Sequence, residues 1–265
     1  MILYKYYGFK AGILALKSRQ LGFRIPTYFN DPFELSALSN GSGDERKAST
    51  LHQKIEELSN NVVILSLTRA HDNSLMWAHY GEDHKGFVIG YDVNTKFLTN
   101  PQLNIIPVDE GDVVYTNTKS KHILNKSVMD KLHEVYLSAL GDVQATNPEI
   151  KSLARKIFLT KHASWVYEEE VRVVKVAHSF FEEAREAQQD PFRAFTNIEG
   201  VSGLRLMQHQ VKIKEVYLGA RNNLIKSPSR DFMDTYESLI VEKCKFKKMT
   251  VDKNSWSLIT SKLNF

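Results

Sequence analysis

Apolar positions along the chain recur with two spacings, and together they predict a mixture of strands and helices. Leu3–Tyr6 reads as a short opening strand, while Phe9, Ile13 and Leu16 fall on one helical face across about Phe9–Ser18. A strand over Gly22–Ile25 runs into Pro26 and the tight sequence Asn30-Asp31-Pro32. Ser39–Asp44 (SNGSGD) is rich in turn formers and predicts a loop, after which Leu51, Ile55 and Leu58 mark an amphipathic helix. Asn61–Leu67 is a continuous apolar run of strand length, the pattern of a central strand buried on both faces. Asn73 is placed to cap a short helix carrying Leu75, Met76 and Trp77. Gly86–Tyr91 predicts a further buried strand and Val113–Tyr115 a shorter one.

In the second half, Leu124, Val128, Leu132 and Val135 share one helix face. Asn147-Pro148 supplies a capping residue and a first-turn proline for a helix through Ile150, Leu153, Ile157 and Phe158. Glu169–Val176 predicts a strand, with Val171 and Val173 opposite Glu170 and Arg172. Ser179–Gln189 is polar and reads as an exposed helix or insertion. Val211–Leu218 is strand-like, Ser227-Pro228 opens a helix through Phe232, Tyr236 and Leu239, and a hairpin turns near Asp252–Asn254. Strands and helices mix without a βαβ rhythm. The expected fold is therefore α+β, with mixed, largely antiparallel sheets and surrounding helices. No linker or repeat divides the 265 residues, so a single domain 1–265 is expected, with its motifs in 1–219 and a helix plus hairpin in 220–265.

Composition narrows the function classes. Hydrophobic residues at 42% and charged residues at 25% match globular usage. No apolar run approaches the ~18 residues of a membrane span, and the opening MILYKYYGFK lacks a signal-peptide pattern, so a cytoplasmic protein is expected with no membrane partner. One cysteine, Cys244, allows neither an internal disulfide nor a cysteine zinc cage; alternation from Ile240 to Phe246 puts it on the face of Phe246 as a buried thiol. A net charge of +4 is too weak to favour nucleic acid. The one basic cluster is Lys243, Lys245, Lys247, Lys248 and Lys253. Its first three members share a strand face, which reads first as a solvated edge discouraging aggregation and second as a phosphate-contacting patch.

There is no phosphate loop, dinucleotide fingerprint, zinc helix or nucleophile elbow. Candidate chemistry lies in three stretches instead. Tyr28–Glu34 (YFNDPFE) is a rigid turn between aromatic anchors that also exposes Asn30, Asp31 and Glu34 to a ligand's hydroxyls. Ser66–Tyr80 contributes Ser66, Arg69, His79 and Tyr80, with Met76 and Trp77 as core residues. Trp165–Arg172 (WVYEEEVR) places Glu168, Glu170 and Arg172 on one face of a strand and Glu169 on the other. Two carboxylates two residues apart repel, and Arg172 offsets only part of that. A surface ion-pair ladder and a site in which Arg172 orients the carboxylates both fit the pattern.

Together these stretches resemble an uncharacterised bacterial family, domain of unknown function 2971. The resemblance is carried by Leu3-Tyr4-Lys5-Tyr6, by Phe29–Glu34, by Leu75–Tyr80 leading to His84-Lys85-Gly86, and by Lys161 followed by Trp165, Tyr167, Glu168, Glu170 and Arg172. It implies a link to phage defence and abortive infection, but no reaction.

The element order also resembles the ADP-ribosyltransferase superfamily, which implies a split β core binding NAD in a cleft. In that reading Glu170 is the catalytic carboxylate, Glu168 assists, and Arg172 holds the pair. Lys5 and Tyr6 flank the NAD entrance, Ser66 supports the cleft, and Asn30, Asp31, His79 and Tyr80 line it. Lys5 stands where that superfamily carries Arg or His. NAD is thus the expected cofactor and no metal is expected; a nucleotide-type small molecule or a defence-system protein is the expected partner. One alternative is a metal-dependent nuclease or phosphohydrolase with Glu168, Glu170, Asp31 and Asp92 around magnesium. The other is a non-enzymatic sensing or partner-binding surface, with Ser179–Gln189 as a contact.

Overall fold

In the computed structural model, residues 1–41, 43–141, 147–177, 195–198, 200–263 and 265 are described. The fold is α+β. The main sheet contains β1 (Ile2–Tyr7), β2 (Gln20–Arg24), β4 (Val62–Thr68), β5 (Phe87–Asp92), β9 (Glu170–Val176), β10 (Phe195–Asn197), β11 (Leu204–Gln210), β12 (Ile213–Leu218), β13 (Lys245–Val251) and β14 (Leu258–Lys262). Among the described residues its order is β10-β11-β2-β4-β1-β5-β12-β13-β14, with β9 also on β4, and only β12 and β13 run parallel. Two small parallel pairs lie apart from it: β3 (Leu38–Asn40) with β7 (Ser120–His122), and β6 (Val114–Thr116) with β8 (Thr160–His162).

The apolar run 62–67 becomes the centre of this arrangement. One edge of β4 is fully zipped to β9, from Val62↔Val176 to Thr68↔Glu170. Its other edge is divided, pairing with β2 at Ile64 and with β1 at Thr68. Between those two points the Lys5 ammonium donates to the Ser66 carbonyl at 2.9 Å. A lysine thus satisfies a backbone acceptor between the two strands' points of pairing.

Helices cover both faces. One face buries Leu3, Phe23, Phe87, Ile89 and Val216 beneath α1 (Phe9–Ser18) and α7 (Arg230–Val241), which contributes Phe232 and Leu239. On the other face, α2 (Glu45–Asn60), α5 (Lys126–Leu140) and α6 (Pro148–Phe158) cover Val62, Ile64 and Val174. The short α3 (Ser74–His79) covers Tyr6, Val88 and Tyr217 with Met76 and Trp77. The caps follow the sequence: Asp44, Asn73, Asn125 and Asn147 each accept first-turn amides, worth roughly 1 kcal/mol apiece. A one-turn helix, α4 (Lys96–Thr99), follows β5.

Several expectations shift. The SNGSGD stretch begins as strand, because Ser39 and Asn40 pair with Lys121 and His122; tertiary pairing overrides weak strand propensity. The last helix starts two residues later than Ser227-Pro228, capped by Ser229, whose hydroxyl accepts the Phe232 amide. Leu124 precedes its helix rather than lying in it. Cys244 is buried, as its apolar neighbours suggested, but it sits before the strand, after Lys243 turns left-handed at φ 64°. Burial pushes its thiol up to about 12. The basic strand β13 is internal, flanked by β12 and β14, so the anti-aggregation edge reading does not hold there. Ser179–Gln189 lies outside the described residues. No helix among the described residues is long and apolar enough to cross a membrane.

Candidate functional site

On the sheet face shared by α3 and the α5–α6 layer, charged side chains meet in the interior. The alternation predicts Glu168 in the strand. Instead it ends a 3-10 helix, Ala163–Glu168, and Glu169 reverses the chain at φ 44° before β9 begins at Glu170. The two carboxylates still converge, and Lys161 on β8 is the reason. Its ammonium lies 2.6 Å from Glu168 Oε2, 3.2 Å from Glu170 Oε2 and 3.4 Å from Glu34 Oε1.

Arg172, with no exposed side-chain surface, occupies the other side. Its guanidinium donates to both Glu170 oxygens at 2.9 and 3.0 Å, to Glu34 Oε1 at 2.8 Å and to the Phe158 carbonyl at 2.8 Å. Three carboxylates face two cations, a net of −1, in side chains at most 7% exposed. The surface-ladder alternative is therefore set aside; this is a buried network. Glu34 Oε2 is buried without a hydrogen-bond partner among the described residues.

The surroundings polarise the two central carboxylates in opposite directions. Burial raises both, but for Glu170 the Arg172 and Lys161 charges override it and hold the group down at about 2. The Ser66 hydroxyl helps. At Glu168 burial prevails over Lys161, with Glu170's charge adding to the rise, so this carboxyl titrates above the ordinary range. Lys161 and Arg172 stay charged, since neighbouring carboxylates outweigh the burial that would lower them. Lys5 is pulled down to about 8 by burial, partly countered by Glu170. Opposed shifts in adjacent groups are what proton-transfer sites require, although structural ion networks also show them.

Tyr80, just after α3, donates its phenol to Glu168 Oε1 at 2.6 Å. Asn30 stands beside the same hydroxyl. Tyr115 on β6 accepts the Glu170 amide at 2.9 Å. Aromatic rings flank the cations, with Lys161 4.9 Å from the Trp165 ring centre and Arg172 5.8 Å from that of Phe29. Trp165, Tyr167 and the exposed His79 follow one another at ring separations of 6.0 and 6.5 Å.

The structure thus gathers Glu168, Glu170, Arg172, Ser66, Tyr80 and Asn30, with Lys5 close by through Ser66. Asp31 is buried in the turn itself, accepting the Phe33 amide at 2.9 Å. Tyr6 is apart, packed edge-on against Trp77 at 5.4 Å in the α3 apolar cluster. His79 stands at the rim. Glu34, expected to be exposed on the turn, is instead buried between Lys161 and Arg172, while no role is expected of Lys161 or Tyr115 from the sequence. Glu34 closes the YFNDPFE turn and Lys161 opens the last motif, so both lay inside visible patterns. Nothing in sequence marks Tyr115.

Most of these side chains, Tyr80 to Arg172, fall in one segment that can be compared with known families. Residues 76–173 match the family model described as Protein of unknown function (DUF2971). This supports the resemblance drawn from the motifs over that stretch, which is narrower than Met1–Gly219. The matched stretch carries Tyr80, Tyr115, Lys161, Glu168, Glu170 and Arg172, whereas Lys5, Asn30, Glu34 and Ser66 come from the preceding 75 residues. No curated protein and no solved structure matches the chain.

Proposed function

We propose that the network is the centre of an ADP-ribosyltransferase-like site that takes NAD as substrate, in a bacterial defence or toxin context. One observation carries the reading: a buried cluster with a surplus carboxylate, its two cations flanked by aromatic rings. Cleaving the nicotinamide–ribose bond develops positive charge on the ribose, and fixed negative charge in a dry site stabilises it. The nicotinamide ring of NAD is itself cationic, and Trp165 and Tyr167 offer faces to stack on.

The roles follow from the electrostatics. Glu170, clamped by Arg172 and Lys161, would be the permanent negative charge. Glu168, with its raised pKa and its Tyr80 contact, would take the proton of the incoming hydroxyl as nicotinamide leaves with the bond's electron pair. Lys5, bound to the Ser66 carbonyl, would hold the divided edge of β4 beneath them. The test is nicotinamide release from NAD in the presence of EDTA. The unmodified protein should release it, and Glu168→Gln should slow release about 100-fold or more. No release by the unmodified protein, or full activity in both Glu168→Gln and Glu170→Gln, contradicts the proposal.

A second reading has its own supporting observation. Side chains at most 7% exposed are what a purely structural clamp would show, one joining the 28–34 turn, β8 and β9 beneath a non-catalytic partner-binding surface. It predicts that Glu168→Gln leaves partner binding unchanged. A metal-dependent hydrolase fits less well: Lys161 already fills the space between the three carboxylates, and Asp92 is held elsewhere by Lys214 at 3.5 Å. Among the described residues no group of three His, Cys, Asp or Glu could hold a metal ion.

A further inference from the structure

The hairpin β13–β14 concentrates the charge of the molecule. Residues 242–265 contain Lys243, Lys245, Lys247, Lys248, Lys253 and Lys262 against only Glu242 and Asp252, a net of +4 that equals the net of the whole chain. The rest of the protein is therefore neutral in sum. Lys247 and Lys262 are cross-strand partners and share a face with Lys245. Lys245 and Lys247, about 6.6 Å apart along the strand, lie near Glu215 at 4.0 and 3.6 Å. Lys243, Lys248, Lys253 and Lys262 have no carboxylate within salt-bridge distance among the described residues. Since β13 is an internal strand, protecting an open edge does not account for its lysines.

The tip adds a second feature. Trp256 is fully exposed, and Val251 and Ile259 beside it are 67% and 50% exposed. The loop that carries Trp256 is tied rather than loose. The Asp252 amide donates to the Ser257 carbonyl at 3.1 Å, while the Asp252 carboxylate accepts the Asn254 amide at 2.9 Å and the Ser255 hydroxyl at 2.6 Å. A bulky indole held in water on an ordered turn is pre-organised for contact.

We propose that this hairpin binds single-stranded nucleic acid, with its lysines on the phosphates and Trp256 stacked on a base. Lysines along a strand face give sequence-independent attraction that weakens with salt, and an exposed aromatic ring supplies the base platform such proteins use. A membrane surface would also attract lysines, but the exposed apolar side chains Val251 and Ile259 project to opposite faces of the hairpin rather than forming one inserting face. The surface stands independently of the acidic network.

The test is fluorescence anisotropy of a labelled 12-nucleotide oligo-dT titrated with the full chain at several salt concentrations. Binding should appear at 50 mM salt and weaken steeply as salt rises. Trp256→Ala should weaken it about tenfold. Lys245→Ala with Lys253→Ala and Lys262→Ala should flatten the salt slope by roughly 0.7 per lysine removed. These positions are exposed or half-buried, and a circular dichroism spectrum matching the parent shows each variant folded. No binding at 50 mM salt, equal binding by Trp256→Ala, or co-sedimentation only with vesicles containing anionic lipid would overturn the proposal.

Discussion

Lys161 and Glu168 meet at 2.6 Å although they leave the backbone on different elements, one on β8 and one at the end of a 3-10 helix. The contact exists because the chain turns back on itself between them, and it sets the electrostatics of everything nearby. Lys161 is the point where the carboxylates of Glu34, Glu168 and Glu170 converge, and Arg172 balances two of them from the far side.

Removing Arg172 should be the most destabilising change at this centre. Arg172→Met leaves Glu34 and Glu170 buried beside one remaining cation, and breaking such a pair costs about 3–5 kcal/mol. Urea denaturation should show the unfolding free energy in water fall by that amount, with the midpoint shifted down accordingly. Arg172→Lys should recover only part of it, because a lysine cannot make the four directed bonds of the guanidinium.

The two central carboxylates should respond oppositely to neutralisation. Glu170→Gln removes a favourable charge between two cations and should destabilise the fold by a few kcal/mol. Glu168→Gln removes the carboxylate whose charge burial disfavours, so its stability should change by less than about 1 kcal/mol. Thermal melts of the two variants at neutral pH compare them directly.

Acid should weaken the fold through Glu170. Its folded pKa lies near 2, below the ordinary 4.5, so its contribution is complete above pH 4.5 and is lost as pH falls toward 2. The amount is up to about 3 kcal/mol. Glu168, shifted upward, has the opposite sign and disfavours the fold as pH rises through its own pKa. Stability measured from pH 6 to pH 2 should therefore decline less steeply in Glu170→Gln than in the parent.

The backbone behind the site is equally constrained. A Cβ at Gly111 would lie 1.9 Å from the Arg172 carbonyl oxygen, and Gly111 in turn accepts the Arg172 amide at 2.8 Å. Gly111→Ala should cost about 3 kcal/mol through forced displacement of β9. Conversely, Glu169 is exposed and held at φ 44°, where glycine is at ease, so Glu169→Gly should stabilise the protein by about 1 kcal/mol. Calorimetric melting of both variants checks the pair of signs.

Much of this was legible in the sequence because it depended on local chemistry. The helix over Phe9–Ser18, the Asn73 and Asn147 caps and the buried strand at 62–68 follow from periodicity and capping residues. Glu168, Glu170 and Arg172 could be picked out as an awkward charge pattern. The meeting of Lys161 with Glu34 could not, since 127 positions separate them and only the fold brings them together. Strand alternation also misassigned the route of Glu168, because a left-handed residue at 169 breaks the period without a glycine to announce it. Tyr115 was invisible for a similar reason: its hydroxyl serves a backbone amide 55 residues away.

The central claim is that one buried network drives two neighbouring carboxylates apart in acidity. Site-resolved 13C NMR titration of the Glu168 and Glu170 carboxyl carbons in the folded protein measures this most directly. Glu168 should titrate above the ordinary glutamate range and Glu170 near 2. Both groups titrating together near 4.5, or Glu170 above Glu168, would contradict the account.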